Sequence, residues 1–251
     1  MTTVISTELF KLRTTRAPWA VATCLIALAA ALLAFIGALV GKPGQPALEP
    51  SVLGGLARAP GMLTGGAALL LGLLLSTAEY RHATALTTRL GHPRVPGLVL
   101  AKAIAAALAG SVLALAVELV MLGGGAAILA GRDVSVEPLR HGVPAAVASI
   151  VMVAALHAVA GVGIGELLRN PTLAVGAVLV WAFLAEGVLP VLLRQPNLDR
   201  WLPTGAARSA LSLGLTQDSA LLIPWAGLSV LAAYAVGLLL VGLGRSVRTD
   251  P

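Results

Sequence analysis

Six long apolar segments dominate the pattern of hydrophobic and polar positions along the chain. Each approaches or exceeds the length of about 20 helical residues that crosses a bilayer core. They continue through runs of Leu and Ala without the alternation of a strand, so they predict transmembrane helices and not a membrane barrel. The six predicted spans are residues 19–40, 61–78, 98–130, 143–164, 172–193 and 220–243. The third is too long for one simple span, so its beginning should project into the cytoplasm.

The composition agrees with this pattern and excludes other classes of protein. Of the 251 residues, 58% are hydrophobic and only 11% are charged, whereas about 25% of a soluble domain is charged. A single soluble core cannot bury so much apolar surface and still present a polar surface to water. The single cysteine, Cys24, excludes a disulfide scaffold. We therefore predict an all-α integral membrane protein.

The net charge of +6 is better explained by a membrane than by a nucleic-acid partner. The basic residues lie between the apolar spans, where Lys and Arg set the orientation of a membrane protein. With six spans and the N-terminus inside, ten Lys and Arg residues fall on the inner side and seven on the outer side. We expect a multi-pass protein of the plasma membrane with both termini cytoplasmic, in contact with lipid and with no nucleic acid.

The N-terminal residues 1–17 are predicted to form an amphipathic helix. Leu9 and Leu12 recur at helical spacing among basic residues, and Glu8 falls on another face. Such a helix directly before a span is typical of an element lying in the membrane interface.

The inner loop between the second and third spans contains a second amphipathic pattern. Residues 79–91 place apolar side chains on one helical stripe and polar side chains on the other face, until Gly91 ends the helix. An element of this kind can insert into a groove of a soluble partner and transmit its movement to both spans. A solvated connector has the same composition and stays open as the other interpretation.

The outer segment of residues 194–219 combines an aromatic residue with a short helical pattern. Trp201 should lie at the depth of the lipid head groups, and Thr204 is the predicted N-cap of the helix that follows. We therefore expect a short helix at the outer interface.

These segments resemble the permease subunit of ABC-2-type exporters over essentially the whole chain. Many permeases of this class carry an acidic-aromatic-Arg stretch ending in Thr, then a Pro/Arg turn and an Ala-Lys pair. The corresponding runs here are Glu79-Tyr80-Arg81-His82-Ala83-Thr84, Pro93-Arg94 and Ala101-Lys102, and Trp201-Leu202-Pro203-Thr204 is similar to the family's outside segment. At residue 83 this chain has Ala where the family often has Gly.

The resemblance implies one transmembrane domain over residues 1–251, in which 1–17 is an elbow helix, 79–91 a coupling helix and 194–219 a re-entrant or interfacial outside segment. The coupling helix would dock on a separate ATP-binding subunit. Its implied contact residues are Glu79, Tyr80, Arg81, His82, Thr84 and Arg89, and the outside segment is marked by Trp201 and Pro203. Six spans are few for a complete pathway, so we expect two permease chains, identical or different, to pair. The mostly apolar chain with few interior charges suits export of a hydrophobic or amphipathic drug, lipid or peptide.

The chain itself is not predicted to be an enzyme. A Walker A loop needs four residues between its first glycine and the Gly-Lys, followed by Ser or Thr, whereas the nearest run, residues 37–43, has three and ends in proline. ATP and Mg would therefore be bound by the partner subunit, and this chain holds no cofactor. No pair of His, Cys or carboxylate residues has the spacing of a metal site. Gly161, Gly163 and Gly165 predict close helix contacts.

Three ionisable residues are predicted inside the membrane: Glu118, His157 and Glu186. Each costs about 2.5–3.5 kcal/mol at the bilayer centre on insertion scales. They are candidates for lining a translocation pathway or relaying protons, and hydrogen bonding between helices is the other interpretation. Their presence leaves a proton-coupled secondary transporter using Glu118 and Glu186 as the alternative function.

Overall fold

The computed structural model describes residues 2–39, 52–81, 95–131, 142–195, 197–213 and 220–248, and the regular secondary structure in these ranges is helical, with no strand. The α-helices are α1 (Thr2–Thr14), α2 (Arg16–Leu39), α3 (Val52–Arg58), α4 (Gly61–Arg81), α5 (Val95–Ala130), α6 (Val143–Leu168), α7 (Pro171–Val180), α8 (Glu186–Leu192), α9 (Pro203–Leu211) and α10 (Pro224–Arg248). A π-helical turn, Trp181–Ala185, joins α7 to α8, and a 3-10 turn, Asp199–Trp201, precedes α9.

Among the described residues, six helical segments are long and apolar enough to cross a bilayer, which confirms the all-α membrane fold. They are Arg16–Ala38, Gly55–Tyr80, Val95–Ala130, Val143–Leu168, Pro171–Leu192 and Pro224–Arg248. The third span is a single helix of 36 residues, about 54 Å long at 1.5 Å per residue. Because the hydrocarbon core is only about 30 Å thick, part of α5 must lie outside it.

Small residues bring α4, α6 and α10 into close contact at the centre of the bundle. A Cβ atom at Gly72 would lie 1.9 Å from the carbonyl oxygen of Ala158, and one at Gly161 would lie 2.1 Å from that of Leu69. Only glycine fits at either position, and Gly163 approaches the backbone of α10 in the same way. The predicted close contacts of the glycines in the fourth span are therefore confirmed.

The fifth span is irregular, although the sequence predicts one span over residues 172–193. α7 begins at Pro171, where the side chain of Asn170 accepts hydrogen bonds from the backbone N–H groups of Thr172 and Leu173. The π-helical turn then changes the helical register ahead of α8, which contains Pro190. A proline inside a helix removes a backbone donor and crowds the carbonyl four residues before it. The fifth span therefore departs from a regular α-helix toward its C-terminal end.

Within the predicted outside segment, α9 packs back against the bundle. α9 buries a row of small and apolar side chains that pack into the core with α6 and α10: Ala206, Ala207, Ala210 and Leu211. The helix begins at Pro203 with Leu202 as its N-cap, so the prediction that Thr204 is the N-cap is wrong. The capping group comes from another helix, since the backbone N–H of Thr204 donates to the Glu186 carboxylate at 3.0 Å.

Candidate functional site

Charged side chains, four of them buried and one partly exposed, gather at the end of the bundle that carries α1, which we call the α1 end. They are Glu8 and Lys11 on α1, Glu79 on α4, Lys102 on α5 and Glu166 on α6, and we call this group the α1-end network. Glu8, Lys102 and Glu166 are each no more than 2% exposed. Charged residues are almost never buried so completely unless they are paired, so their location depends on the contacts between them.

Lys102 connects three helices at the centre of this network. Its Nζ donates to Oε2 of Glu79 at 2.8 Å and to Oε1 of Glu166 at 3.0 Å. The two carboxylates come from α4 and α6, and Lys102 itself lies on α5. Hydrogen bonds between charged groups are short and about twice as strong as neutral ones, so the ammonium group holds the three helices together at this end.

Lys11 extends the network to the N-terminal helix. Its Nζ donates to Oε1 of Glu79 and to Oε1 of Glu8, both at 2.6 Å. Burial alone would lower the pKa of Lys11, but the hydrogen bonds and charges of Glu79 and Glu8 outweigh it and raise that pKa, so Lys11 stays a cation. Burial raises the pKa of Glu8 in spite of its hydrogen bond with Lys11. α1 is thus anchored to α4 through a charged contact.

Glu166 accepts hydrogen bonds from three helices. Besides Lys102, it accepts hydrogen bonds from Ser76 Oγ at 2.8 Å, from the Tyr80 hydroxyl at 2.8 Å and from Ser246 Oγ at 2.9 Å. Glu166 lies in the last turn of α6, where the helix dipole disfavours a negative charge. Donors from α4, α5 and α10 offset this cost, and they bring the end of α10 into the network.

A surface cavity of about 700 Å³ lies beside the network, at the turn between α6 and α7. It is lined by Tyr80, Arg169, Asn170, Pro171, Thr172 and Val175. The guanidinium carbon of Arg169 lies 5.2 Å from the centre of the Tyr80 ring, within the range of a cation–π contact. Tyr80 therefore joins the buried network to the partly buried guanidinium group of Arg169 at the cavity wall.

The structure describes only the beginning of the predicted coupling segment. α4 continues through Arg81, so it extends three residues beyond the predicted second span of residues 61–78. Glu79 belongs to the buried network, and Tyr80 forms part of the cavity wall. The remaining predicted contact residues, His82, Thr84 and Arg89, lie outside the described residues.

Glu118, His157 and Glu186 are not joined to one another by a hydrogen bond or an ion pair within the described ranges. Glu118, on α5, is 2% exposed, and neither of its carboxylate oxygens has a hydrogen-bond partner among the described residues. Arg58 on α3 attracts this carboxylate electrostatically. The Nδ1 atom of His157 lies 2.9 Å from the carbonyl oxygen of Val153 in its own helix. One of the two ring nitrogens therefore has a hydrogen-bond partner.

Glu186 stabilises the opposite end of the bundle. Its Oε1 accepts a hydrogen bond from Trp181 Nε1 at 3.0 Å, and its Oε2 accepts one from the backbone N–H of Thr204 at 3.0 Å. The carboxylate thus lies at the N-terminus of α9, where the helix dipole favours a negative charge. Pro203 is the first residue of α9, and Trp201, 47% exposed, ends the preceding 3-10 turn.

The pattern along the chain did not reveal Glu166, and it placed Glu8 off the apolar stripe without indicating that this side chain is buried. Glu8 is 1% exposed, whereas Leu9, which was predicted on the apolar stripe, is 37% exposed. The available signal was Lys102, because a lysine within an apolar run requires a partner. A carboxylate near the end of another span, such as that of Glu166, is the partner to search for.

No protein-family model matches the chain, and no curated protein matches its sequence. What bears on function is therefore the arrangement of the residues themselves. In the part of the chain that the structure describes, no group of three or more His, Cys, Asp and Glu residues is placed to hold a metal ion. The α1-end network is suited to transmitting movement between helices, since it joins α1, α4, α5, α6 and α10.

Proposed function

We propose that this chain is the transmembrane permease subunit of an ABC exporter, powered by a separate ATP-binding subunit. The observation that supports this most directly is the α1-end network. Glu79 and Lys102, which bind each other at 2.8 Å, lie on either side of residues 82–94 in the sequence. A force on that segment would reach α4 and α5 through the backbone, and α1, α6 and α10 through the ion pairs and hydrogen bonds.

In this mechanism residues 79–91 act as the coupling helix and α1 acts as the elbow helix. Closure of the ATP-binding subunits on ATP displaces the coupling segment, and the pathway turns outward. Leaving one charge of a buried pair without its partner costs about 3–5 kcal/mol. The helix ends joined by Lys102 and Glu166 therefore move together instead of separating.

A second permease chain, identical or different, completes the pathway in this proposal. The central helices α4 and α6 are in backbone contact at Gly72 and Gly161, which leaves no passage between them. No residue from 175 to 192 of the fifth span is buried, and Phe183 on it is 82% exposed. These apolar surfaces suit a pathway between chains for a hydrophobic or amphipathic drug, lipid or peptide.

The proposed orientation places the α1 end in the cytoplasm and the protein in the plasma membrane. ATP is present on the cytoplasmic side, so the coupling segment must face it. The excess of Lys and Arg on this side supports the same orientation.

Purification of the tagged chain in a mild detergent, from cells that express its natural partners, tests the proposal. An ATP-binding subunit should be retained and should hydrolyse ATP. The variant R81E/R89E reverses two charges of the coupling segment, and the retained subunit should fall about tenfold or more, because like-charge contacts at an interface cost several kcal/mol. The matched control is R13E/R248E, which reverses two exposed arginines at the same end and should retain the subunit. Equal retention by both variants would contradict docking through the coupling segment.

The alternative is a proton-coupled secondary transporter that uses Glu118 and Glu186. One observation favours it, since Glu118 is buried without a hydrogen bond to either carboxylate oxygen among the described residues. Glu186 is engaged by Trp181 and Thr204, so the alternative depends mainly on Glu118. Transport that continues without an ATPase and is abolished by E118Q would support this alternative and overturn the exporter proposal.

A further inference from the structure

A cavity of about 660 Å³ opens at the end of the bundle opposite α1, between the fifth span and the segment leading into α9. Its charged lining consists of Glu186, Arg194, Asp199 and Arg208. The remaining lining residues from the fifth span are small or apolar, and they are Ala182, Gly187, Pro190 and Val191. The cavity therefore combines an apolar wall with a polar mouth.

The wall that the fifth span contributes follows one face of this helix and is apolar apart from Glu186. Ala182, Glu186 and Pro190 line the cavity at intervals of four residues, which places them on one side of a helix. From Ala182 to Val191 the helix rises about 13 Å at 1.5 Å per residue. Val191 is 78% exposed. The lining of the cavity thus extends along the membrane-spanning helix, parallel to the acyl chains of the bilayer.

The charges of the mouth are balanced and accessible. Two arginines and two carboxylates line the cavity, so the formal charge of the lining is zero. The Nη2 atom of Arg208 lies 3.4 Å from Oδ2 of Asp199, and both side chains are about half exposed, 49% and 46%. An exposed pair of this kind contributes only about 0–1 kcal/mol. A ligand can therefore compete for both partners at little cost.

We propose that this cavity binds a zwitterionic phospholipid of the surrounding membrane, of the phosphatidylethanolamine type. The phosphate binds Arg194 and Arg208, because the guanidinium group matches phosphate oxygens in a bidentate geometry. The ammonium group faces Asp199 and Glu186, and an acyl chain lies along the wall from Val191 toward Ala182. The two carboxylates disfavour a purely anionic head group. This site does not depend on the exporter proposal.

A photoactivatable phosphatidylethanolamine, with a diazirine in its acyl chain, tests the site in the full-length protein reconstituted in lipid nanodiscs. Peptide mass spectrometry should locate the cross-link within residues 182–194. In G187L the new side chain fills the cavity, since a Cβ atom at Gly187 would have no other atom within 4 Å. Cross-linking at this site should then fall at least about fivefold, a loss of about 1 kcal/mol in binding.

The matched control for this variant is G176L. Gly176 lies on the same span, a Cβ atom there would also meet no atom within 4 Å, and the residue does not line the cavity. Its cross-linking should equal that of the wild type. Size-exclusion chromatography and thermal melting establish that both variants fold. Equal cross-linking of folded G187L and G176L would overturn the proposal.

Charge recognition is tested with R194Q/R208Q and with competitors. The variant should lose cross-linking about as strongly as G187L does. Unlabelled phosphatidylethanolamine should compete, phosphatidylglycerol should compete poorly, and water-soluble glycerophosphoethanolamine should compete only weakly because it has no acyl chain. Competition by phosphatidylglycerol equal to that of phosphatidylethanolamine would overturn zwitterionic recognition. Equal competition by glycerophosphoethanolamine would identify a soluble phosphate ester, and not a membrane lipid, as the ligand.

Discussion

At the scale of single residues, the charge of the buried Lys102 ammonium group is balanced by carboxylates of the protein. It is 2% exposed and contacts the carboxylates of Glu79 and Glu166. Such a cluster is weak evidence for stability as a whole, because desolvation offsets much of the attraction between the charges. Removing one member of the cluster costs more stability, because its partners stay buried without an opposite charge. The network is therefore sensitive to single substitutions.

Replacing Lys102 with Met should destabilise the protein by roughly 3–5 kcal/mol, because Glu79 and Glu166 would lose their shared cation. Equilibrium unfolding in mixed detergent micelles measures this change. K11M should cost less, because the Lys11 side chain is 32% exposed and water can partly replace it. The double variant K102M/E166Q should recover part of the loss, since it removes a charge from each side. A K102M protein as stable as the wild type would contradict this account.

At the scale of secondary structure, the contact of α4 with α6 depends on glycines. The backbones approach so closely at Gly72 and Gly161 that no side chain fits. Helix association in membranes relies on this close packing, because lipid provides little hydrophobic driving force between helices. α9 illustrates a second dependence, since the carboxylate of Glu186 on α8 caps its N-terminus. α4 and α6 therefore depend on each other for close packing, and α9 depends on α8 for its N-terminal cap.

The variant G161L should fail to give a monodisperse folded protein. A side chain at this position would meet the carbonyl oxygen of Leu69, and overpacking of a tight contact costs about 1–3 kcal/mol or more. Size-exclusion chromatography and thermal melting in detergent measure the effect. The control is G176L, where a side chain enters open space and melting should be unchanged. A normal elution profile and melting temperature for G161L would show that α4 and α6 can separate without loss.

At the scale of the whole molecule, the six candidate spans among the described residues place α1 and the end of α10 on one side. α1 and the end of α10 share the α1-end network through Glu8 and Ser246, whereas Arg58 connects parts of the opposite end. Its Nη2 donates to the carbonyl oxygens of Gly142 at 3.3 Å and Leu213 at 3.0 Å. The two ends of the bundle are thus held by different polar contacts. Exposed residues at the two ends can therefore be labelled separately to measure the topology.

Cysteine labelling should place residues 13 and 248 on one side of the membrane and residue 197 on the other. Replacing Cys24 with Ser leaves no cysteine in the chain, and R13C, R248C and N197C each introduce one at an exposed position. A membrane-impermeant maleimide should label N197C in intact cells, and the other two only after permeabilisation. The reverse result would place the α1 end outside, away from ATP. Labelling of R13C and R248C on opposite sides would contradict six spans.

The sequence by itself determined the class of the protein, the six spans and the close contacts of the glycines in the fourth span. These features depend on composition and on local spacing, which residue order records directly. Only the tertiary structure brought Glu8, Glu79, Lys102 and Glu166 together and made Glu186 the cap of α9. The central helices are apolar on all sides, so no periodicity indicates which face of each helix meets its neighbour. Ion pairs between helices depend on that rotation and register, which packing alone decides.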